Sequence, residues 1–203
     1  MSKNDVPPTL RERHRCDRED AILDVAVALM GANGYAAMTM DDLAARAGIS
    51  KPTLYTHFDS KEVVAVRAVV RMLRRGQAFM DSLPDDLQPL ECFERTVRYM
   101  MTAKLVDCVS YLGTGRDALG PLIRAHPDYQ SEYARMMARM CAIIDAAKAD
   151  GTVRTGLDTR ATAQVAISLM RDTEYDDLIR CGACQSAAVV NTLATILLAG
   201  IRA

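Results

Sequence analysis

The chain has 203 residues, half of them apolar, with 25 basic and 26 acidic residues and a formal net charge of −1. That length suits one ordinary domain or a small domain joined to a larger one, and the supply of aliphatics excludes disorder as a description of the whole. With no Trp, 3 Phe, 7 Tyr and modest Gly and Pro, a many-stranded barrel or sandwich is also disfavoured, and the class expected is all-α.

The first 15 residues carry no apolar run of the kind a secretory signal needs. Segment 11–18 has four Arg against two acids and is expected as a flexible arm. It either follows a nucleic-acid backbone or frays into solvent. Ile22, Val25, Ala26 and Leu29 then set the first clear helical period, over 17–33, with Asp17 as N-cap, Glu19 and Asp20 in the first turn and Asn33-Gly34 as the stop. Thr39 to Asp42 reads as a capping box opening a short helix on Met40, Leu43, Ala44 and Ala47, which Gly48 ends. Ser50 caps a third helix, with Pro52 in its first turn and Leu54 and Phe58 on its inner side. Asp59 to Glu62 opens a long fourth helix (61–80), striped by Val66, Val69, Val70 and Leu73, with Arg71, Arg74 and Arg75 toward its end.

Residues 82–89 are rich in turn formers and read as a linker. Beyond it the periodicity predicts helices over 89–107, 116–125, 128–149, 159–179 and 186–202, broken at Gly113/Gly115, His126-Pro127, Gly151 to Gly156 and Cys181-Gly182. The total is about nine helices and no strand. The longest near-apolar stretch, Ala187 to Ile201, is too short and too polar to span a bilayer, so no membrane partner is expected. Six scattered cysteines (Cys16, Cys92, Cys108, Cys141, Cys181, Cys184) and no export signal point to reduced thiols in the cytoplasm.

The informative stretch is 39–58: two short helices joined by Ala47-Gly48-Ile49-Ser50, the spacing of a helix-turn-helix. Gly48 supplies the positive φ of the reversal, and Ala44 and Ala47 permit close approach. The polar side of the second helix presents Lys51, Thr53, Tyr55, Thr56 and His57, side chains that reach phosphates or base edges. A plain helical hairpin is the alternative on spacing alone.

Gly34-Tyr35, Thr39, Leu43-Ala44, Ala47-Gly48-Ile49-Ser50, Thr53-Leu54-Tyr55-Thr56-His57-Phe58 and Ser60-Lys61-Glu62 together resemble the N-terminal signature of TetR-type transcriptional repressors, over residues 17–75 without a gap. Pro52 departs from the glycine often found there. The resemblance implies a helix-turn-helix DNA-binding domain over 1–60 and a helical ligand-binding and dimerisation domain over 61–203. It further implies a homodimer through the last two helices, a double-stranded DNA operator and a small-molecule inducer. Position by position, it implies DNA contacts at Thr39, Ser50, Lys51, Thr53, Tyr55, Thr56, His57 and Lys61. Bulk charge adds little, since residues 1–82 hold 12 basic and 11 acidic residues and 83–203 hold 13 and 15.

In the larger part, Tyr99, Met100, Met101, Tyr133, Met136, Met137, Met140 and Met170 fall at helical spacing and are candidates to line an adaptable apolar pocket, or else plain core. Val189, Val190, Leu193, Ile196, Leu197 and Ile201 make the last helix more apolar than contact with its own domain needs. A four-helix interface across a twofold axis is therefore expected, with Val190 and Leu197 in it. Cys181-Gly-Ala-Cys184 lacks the further ligands a zinc site needs, though it leaves a redox- or metal-sensing repressor as an alternative. Asp172, Glu174, Asp176 and Asp177 read as a solvated face. No nucleophile–base pair, phosphate loop or HExxH is present, so no catalytic residue, cofactor or metal is expected. A helical enzyme that kept the DNA-binding domain as a relic is the third reading.

Overall fold

The computed structural model describes residues 9–107, 119–169, 175, 178–179 and 181–203. Nine helices are named among the described residues: α1 (Leu10–Asn33), α2 (Met40–Ala47), α3 (Lys51–Tyr55), α4 (Lys61–Asp81), α5 (Pro89–Asp107), α6 (Leu119–Ala125), α7 (Pro127–Ala149), α8 (Thr159–Leu169) and α9 (Ser186–Ile201). The all-α expectation and the helix count hold. The extended pairing among them is a single bridge between Val153 and Arg202, which ties the C-terminus to the α7–α8 loop.

The first helix starts earlier than expected. Thr9 caps it reciprocally: its hydroxyl accepts from the Glu12 amide at 3.2 Å while the Glu12 carboxylate accepts from the Thr9 amide at 2.7 Å. The expected cap, Asp17, is inside the helix, and 11–18 is not an irregular arm but its first turns. The fourth helix is capped by Ser60, whose hydroxyl accepts from Val63 N at 3.3 Å, and not by Asp59. Gly113, Gly115, Cys108, Met170 and the Asp172, Glu174, Asp176, Asp177 cluster lie outside the described residues, as does most of the expected extension of α8.

One apolar core runs from Ile22 to Ile201. Ile22, Ala26 and Met30 of α1 bury against Leu43, Leu54 and Phe58, which closes the small N-terminal bundle. Helix α4 packs on α1 at one end and on α5 and α7 at the other; α9 lies on α5, and α8 on α7. Val190 and Leu197 correct the expectation of an interface there: both are buried within their own chain, in the layer between α9 and the domain. The same helix turns Ile196 outward instead, 64% exposed. Alternation at 3.6 residues lets a helix this apolar bury one side and still leave a second one bare.

Candidate nucleic-acid interface

The turn between α2 and α3 is held by Gly48 at φ 68°, with its amide bonded to the carbonyls of Ala44 and Ala45. This left-handed residue reverses the chain in the way its glycine suggested. Leu43 and Leu54 face each other's bundle and are fully buried, so α3 presents its opposite side to solvent.

Thr39 caps α2, accepting from the Asp42 amide at 3.1 Å and donating to Asp42 Oδ2 at 2.6 Å. Ser50 caps α3, accepting from Thr53 N at 3.2 Å, and its hydroxyl lies 2.8 Å from Thr53 Oγ1. Lys51 Nζ is 2.8 Å from Asp41 Oδ1, both side chains being exposed, and the Asp41 carboxylate raises the lysine's pKa by hydrogen bond and charge. Lys61 Nζ lies over the Tyr35 ring at 4.6 Å and donates to the carbonyls of Ala36 (3.4 Å) and Met38 (3.5 Å). Since Met38 directly precedes Thr39, the ammonium of Lys61 and the hydroxyl of Thr39 are brought together at the start of α2, and Asp41 draws Lys51 to the same end. Tyr55 is 43% exposed, and Thr56 is exposed with its hydroxyl donating to Thr53 O at 2.7 Å.

His57 stands apart from the others. Its side chain is only 9% exposed, and Nδ1 lies 3.2 Å from Glu19 Oε1 on α1. The same carboxylate accepts from Arg15 Nε at 2.9 Å and from Arg67 Nη1 of α4 at 2.8 Å. Burial pushes the Glu19 carboxyl up, but hydrogen bonds from Arg15 and His57 and the charge of Arg67 outweigh it and hold it below its ordinary value. Glu19 thus joins α1, the end of α3 and α4, a role its sequence pattern did not disclose. Only the Arg15–Glu19 spacing of i, i+4 is visible locally; its partners His57 and Arg67 are 38 and 48 residues away. Further along α4, Arg71 reaches Asp24 at 2.7 Å and the Asp20 carbonyl at 2.7 Å.

In the larger part Met100, Met101, Met136, Met137 and Met140 are buried and Tyr99 and Tyr133 half-buried. Tyr99 stacks on Phe79 with ring centres 4.0 Å apart, and Tyr133 donates to Gln164 Oε1 at 2.7 Å. The tips of Met100 and Met136 converge on the α4 backbone at Gly76, where even a Cβ would meet Met136 Cε at 3.0 Å. Cys181 and Cys184 are exposed in the turn before α9, and no group of three metal-ligating side chains gathers among the described residues. Nor is any described helix long and apolar enough to cross a membrane.

Two short helices pivoting on a left-handed glycine, with a polar α3 face carried on a larger helical body, define a helix-turn-helix motif. A family model for bacterial regulatory proteins of the tetR family matches residues 22–68. That match covers the stretch from within α1 to within α4, which is thereby similar to the N-terminal DNA-binding domain of these regulators. It is 31% identical over 130 residues to the HTH-type transcriptional regulator EthR of Mycolicibacterium smegmatis, covering 62% of this chain. The chain spans a little over half, 57%, of that relative's length, and 32% of the EthR of Mycobacterium tuberculosis. The HTH-type transcriptional repressor KstR2 of Rhodococcus jostii is 25% identical over 185 residues, 83% of this chain and 82% of KstR2. Among solved structures, the tetR regulator tylp of Streptomyces fradiae superposes with a TM-score of 0.71 at 19% identity, over 93% of this chain and 88% of its own. The regulator FadR of Bacillus subtilis, solved with stearoyl-CoA, gives 0.68 at 19% identity, over 90% of this chain and 98% of its own. At that identity these two likenesses are of fold.

Proposed function

We propose that the chain is a ligand-responsive transcriptional repressor, acting in the cytoplasm, that binds a palindromic operator as a homodimer and leaves it when a small apolar or amphipathic inducer enters the larger part of the molecule. The observation that carries this reading is the outward side of α3. Tyr55 and Thr56 stand free for a groove while Lys51, Lys61 and Thr39 gather at the start of α2, where amides and cations suit a phosphate. In this reading residues 1–60 dock on DNA and 61–203 sense and dimerise. Lys51 exchanges Asp41 for a phosphate on docking, and His57 acts as a buttress fixed by Glu19, with Tyr55 and Thr53 as the readers of base edges. The name of KstR2 as a repressor and the acyl-CoA held by FadR favour repression and an inducer with a long apolar portion.

Release follows from α4, which carries Arg67 and Arg71 against α1 and Gly76 against the Met100 and Met136 tips. A ligand that displaces those tips shifts α4 and with it the two recognition helices, whose half-sites must lie about one helical turn apart, roughly 34–36 Å. The ligand must favour the released state by a few kcal/mol. Selection of bound duplexes from a random library tests the first half: a twofold-symmetric consensus is expected, and recovery of no enriched sequence overturns it. Mass spectrometry of small molecules carried through purification, followed by their addition to the protein–operator complex, tests the second.

A further inference from the structure

We infer that Cys181 and Cys184 are an oxidation site: hydrogen peroxide closes them into a reversible disulfide inside the turn that leads into α9, which gives the molecule an input separate from its inducer. The effect on operator binding rests on the homodimeric reading above; the thiol chemistry does not. Both cysteines are exposed, although unpaired cysteine is ordinarily among the most buried residues, and an exposed one offers reactivity and not packing. The turn folds the two onto one atom. The Leu178 carbonyl accepts from the Cys181 thiol at 3.4 Å and from the Cys184 amide at 3.1 Å. Gly182, at φ 76° with its amide on the Ile179 carbonyl at 3.1 Å, is the left-handed residue that makes the reversal. Linking the pair closes a short loop that is already bent, so little chain entropy is left to lose.

The other described cysteines differ. Cys92 and Cys141 are half-buried, and burial pushes both thiols up, away from the thiolate that oxidants attack. Cys16 is exposed on α1 with no other cysteine near it in the sequence. Two thiolates supply only half of a zinc site, whereas they complete a disulfide by themselves once a peroxide takes two electrons. Cys184, whose thiol has no hydrogen bond among the described residues, reacts first. Its sulfur bonds to one peroxide oxygen, the O–O bond breaks, and the thiol proton leaves with the other oxygen as water. The Cys181 sulfur then attacks the sulfenic acid so formed. The S–S bond forms, the S–O bond breaks, and the hydroxyl departs as a second water with the proton that Cys181 had directed at Leu178. A dithiol reductant reverses the closure by exchange. Closure takes one of two donors from the Leu178 carbonyl, and the side chain of Leu178 is exposed beside α9. The cysteines themselves stay clear of the exposed Ile196, which at 1.5 Å a residue stands about 15 Å along α9 from its start. A small oxidant therefore reaches them in a dimer built on that side.

The test treats the reduced full chain with hydrogen peroxide and maps its peptides by mass without reductant. A Cys181–Cys184 link, lighter by two hydrogens, is expected, and dithiothreitol should undo it. The link should form about tenfold faster in the folded chain than in urea, because the turn holds the pair together. In Cys181→Ser the reaction should stall, with Cys184 captured by dimedone as its sulfenic acid; in Cys184→Ser the remaining Cys181 should take up little dimedone. Linked wild type should bind the selected operator about tenfold more weakly than reduced wild type, while the double variant Cys181→Ser with Cys184→Ser should ignore peroxide. Three results overturn the oxidation site: a pair that peroxide leaves unlinked, a link that forms as readily in urea, or dimedone captured at Cys16 in preference to Cys184. A link that forms without changing operator affinity overturns the input to DNA binding. A wild type that selects no duplex defeats the operator reading, and the peptide map still decides the oxidation site.

Discussion

Glu132 sits buried on α7 with its carboxylate accepting from Arg74 Nε at 2.7 Å and Gln77 Nε2 at 3.1 Å, both on α4, and from Arg135 on its own helix. Burial pushes this carboxyl up, but the hydrogen bonds from Arg74 and Gln77 and the charges of Arg74 and Arg135 together hold it below its ordinary value of 4.5. A carboxylate depressed on folding contributes stability above its unfolded pKa, and the contribution fades as pH falls through the folded one. Glu132→Gln keeps the shape and loses the charge, so it should cost about 1–2 kcal/mol at neutral pH. In urea titrations the gap between the two proteins should narrow once the pH passes well below 4.5; a gap independent of pH would show that packing, not charge, is lost. At this scale the sequence disclosed what is local. The Ser50 and Thr39 caps and the reversal at Gly48 are readable because their partners lie within four residues. The bonds of Glu132 to Arg74 and of His57 to Glu19 cross 58 and 38 residues, and no local pattern announces them.

Among the helices, α4 has the most to reconcile. Its arginines answer acids of α1, its Gln77 and Asp81 answer Glu132 and Arg139 of α7, and between them Gly76 lets the tips of Met100 and Met136 rest on its backbone. Gly76→Ala sets two effects against each other. Alanine gains about 1 kcal/mol of helix propensity over glycine, while the new Cβ would stand 3.0 Å from Met136 Cε and 3.3 Å from Met100. Those contacts are the free ends of flexible thioether chains, which move at small cost. The net change in a thermal melt should stay within about 1 kcal/mol of zero, whereas Gly76→Leu overpacks and should cost about 1–3 kcal/mol. A loss from the alanine variant as large as from leucine would mean the methionine tips are fixed, and a ligand could not use them to push α4. The elements most legible in the sequence were those with an apolar period between strong caps, such as 89–107 and 61–80. The start of α1 was not, because the cap at Thr9 is followed by polar turns with no apolar period to mark them as helix.

For the whole molecule, the decisive surface is the one that α8 and α9 leave uncovered. Val165 of α8, Leu178 between the two helices and Ile196 of α9 are 51%, 42% and 64% exposed, while Val190 and Leu197 of α9 are sealed within the chain. Large apolar side chains left exposed on two helices that pack on each other suit an isologous contact with a second copy. The two positions therefore predict different failures. Ile196→Asp should leave the fold intact, with an unchanged helical circular dichroism spectrum, yet sediment as a monomer at micromolar concentration. Leu197→Asp places a charge in a buried layer and should unfold or aggregate the chain instead. Because each half-site is then held by one recognition helix alone, the soluble Ile196→Asp monomer should bind full operator no better than a single half-site. Two results would count against the proposed twofold: a wild-type chain that sediments as a monomer, or an Ile196→Asp variant that stays dimeric and binds full operator as well as wild type. In the second case the copies meet elsewhere, and the exposed side of α9 serves another contact.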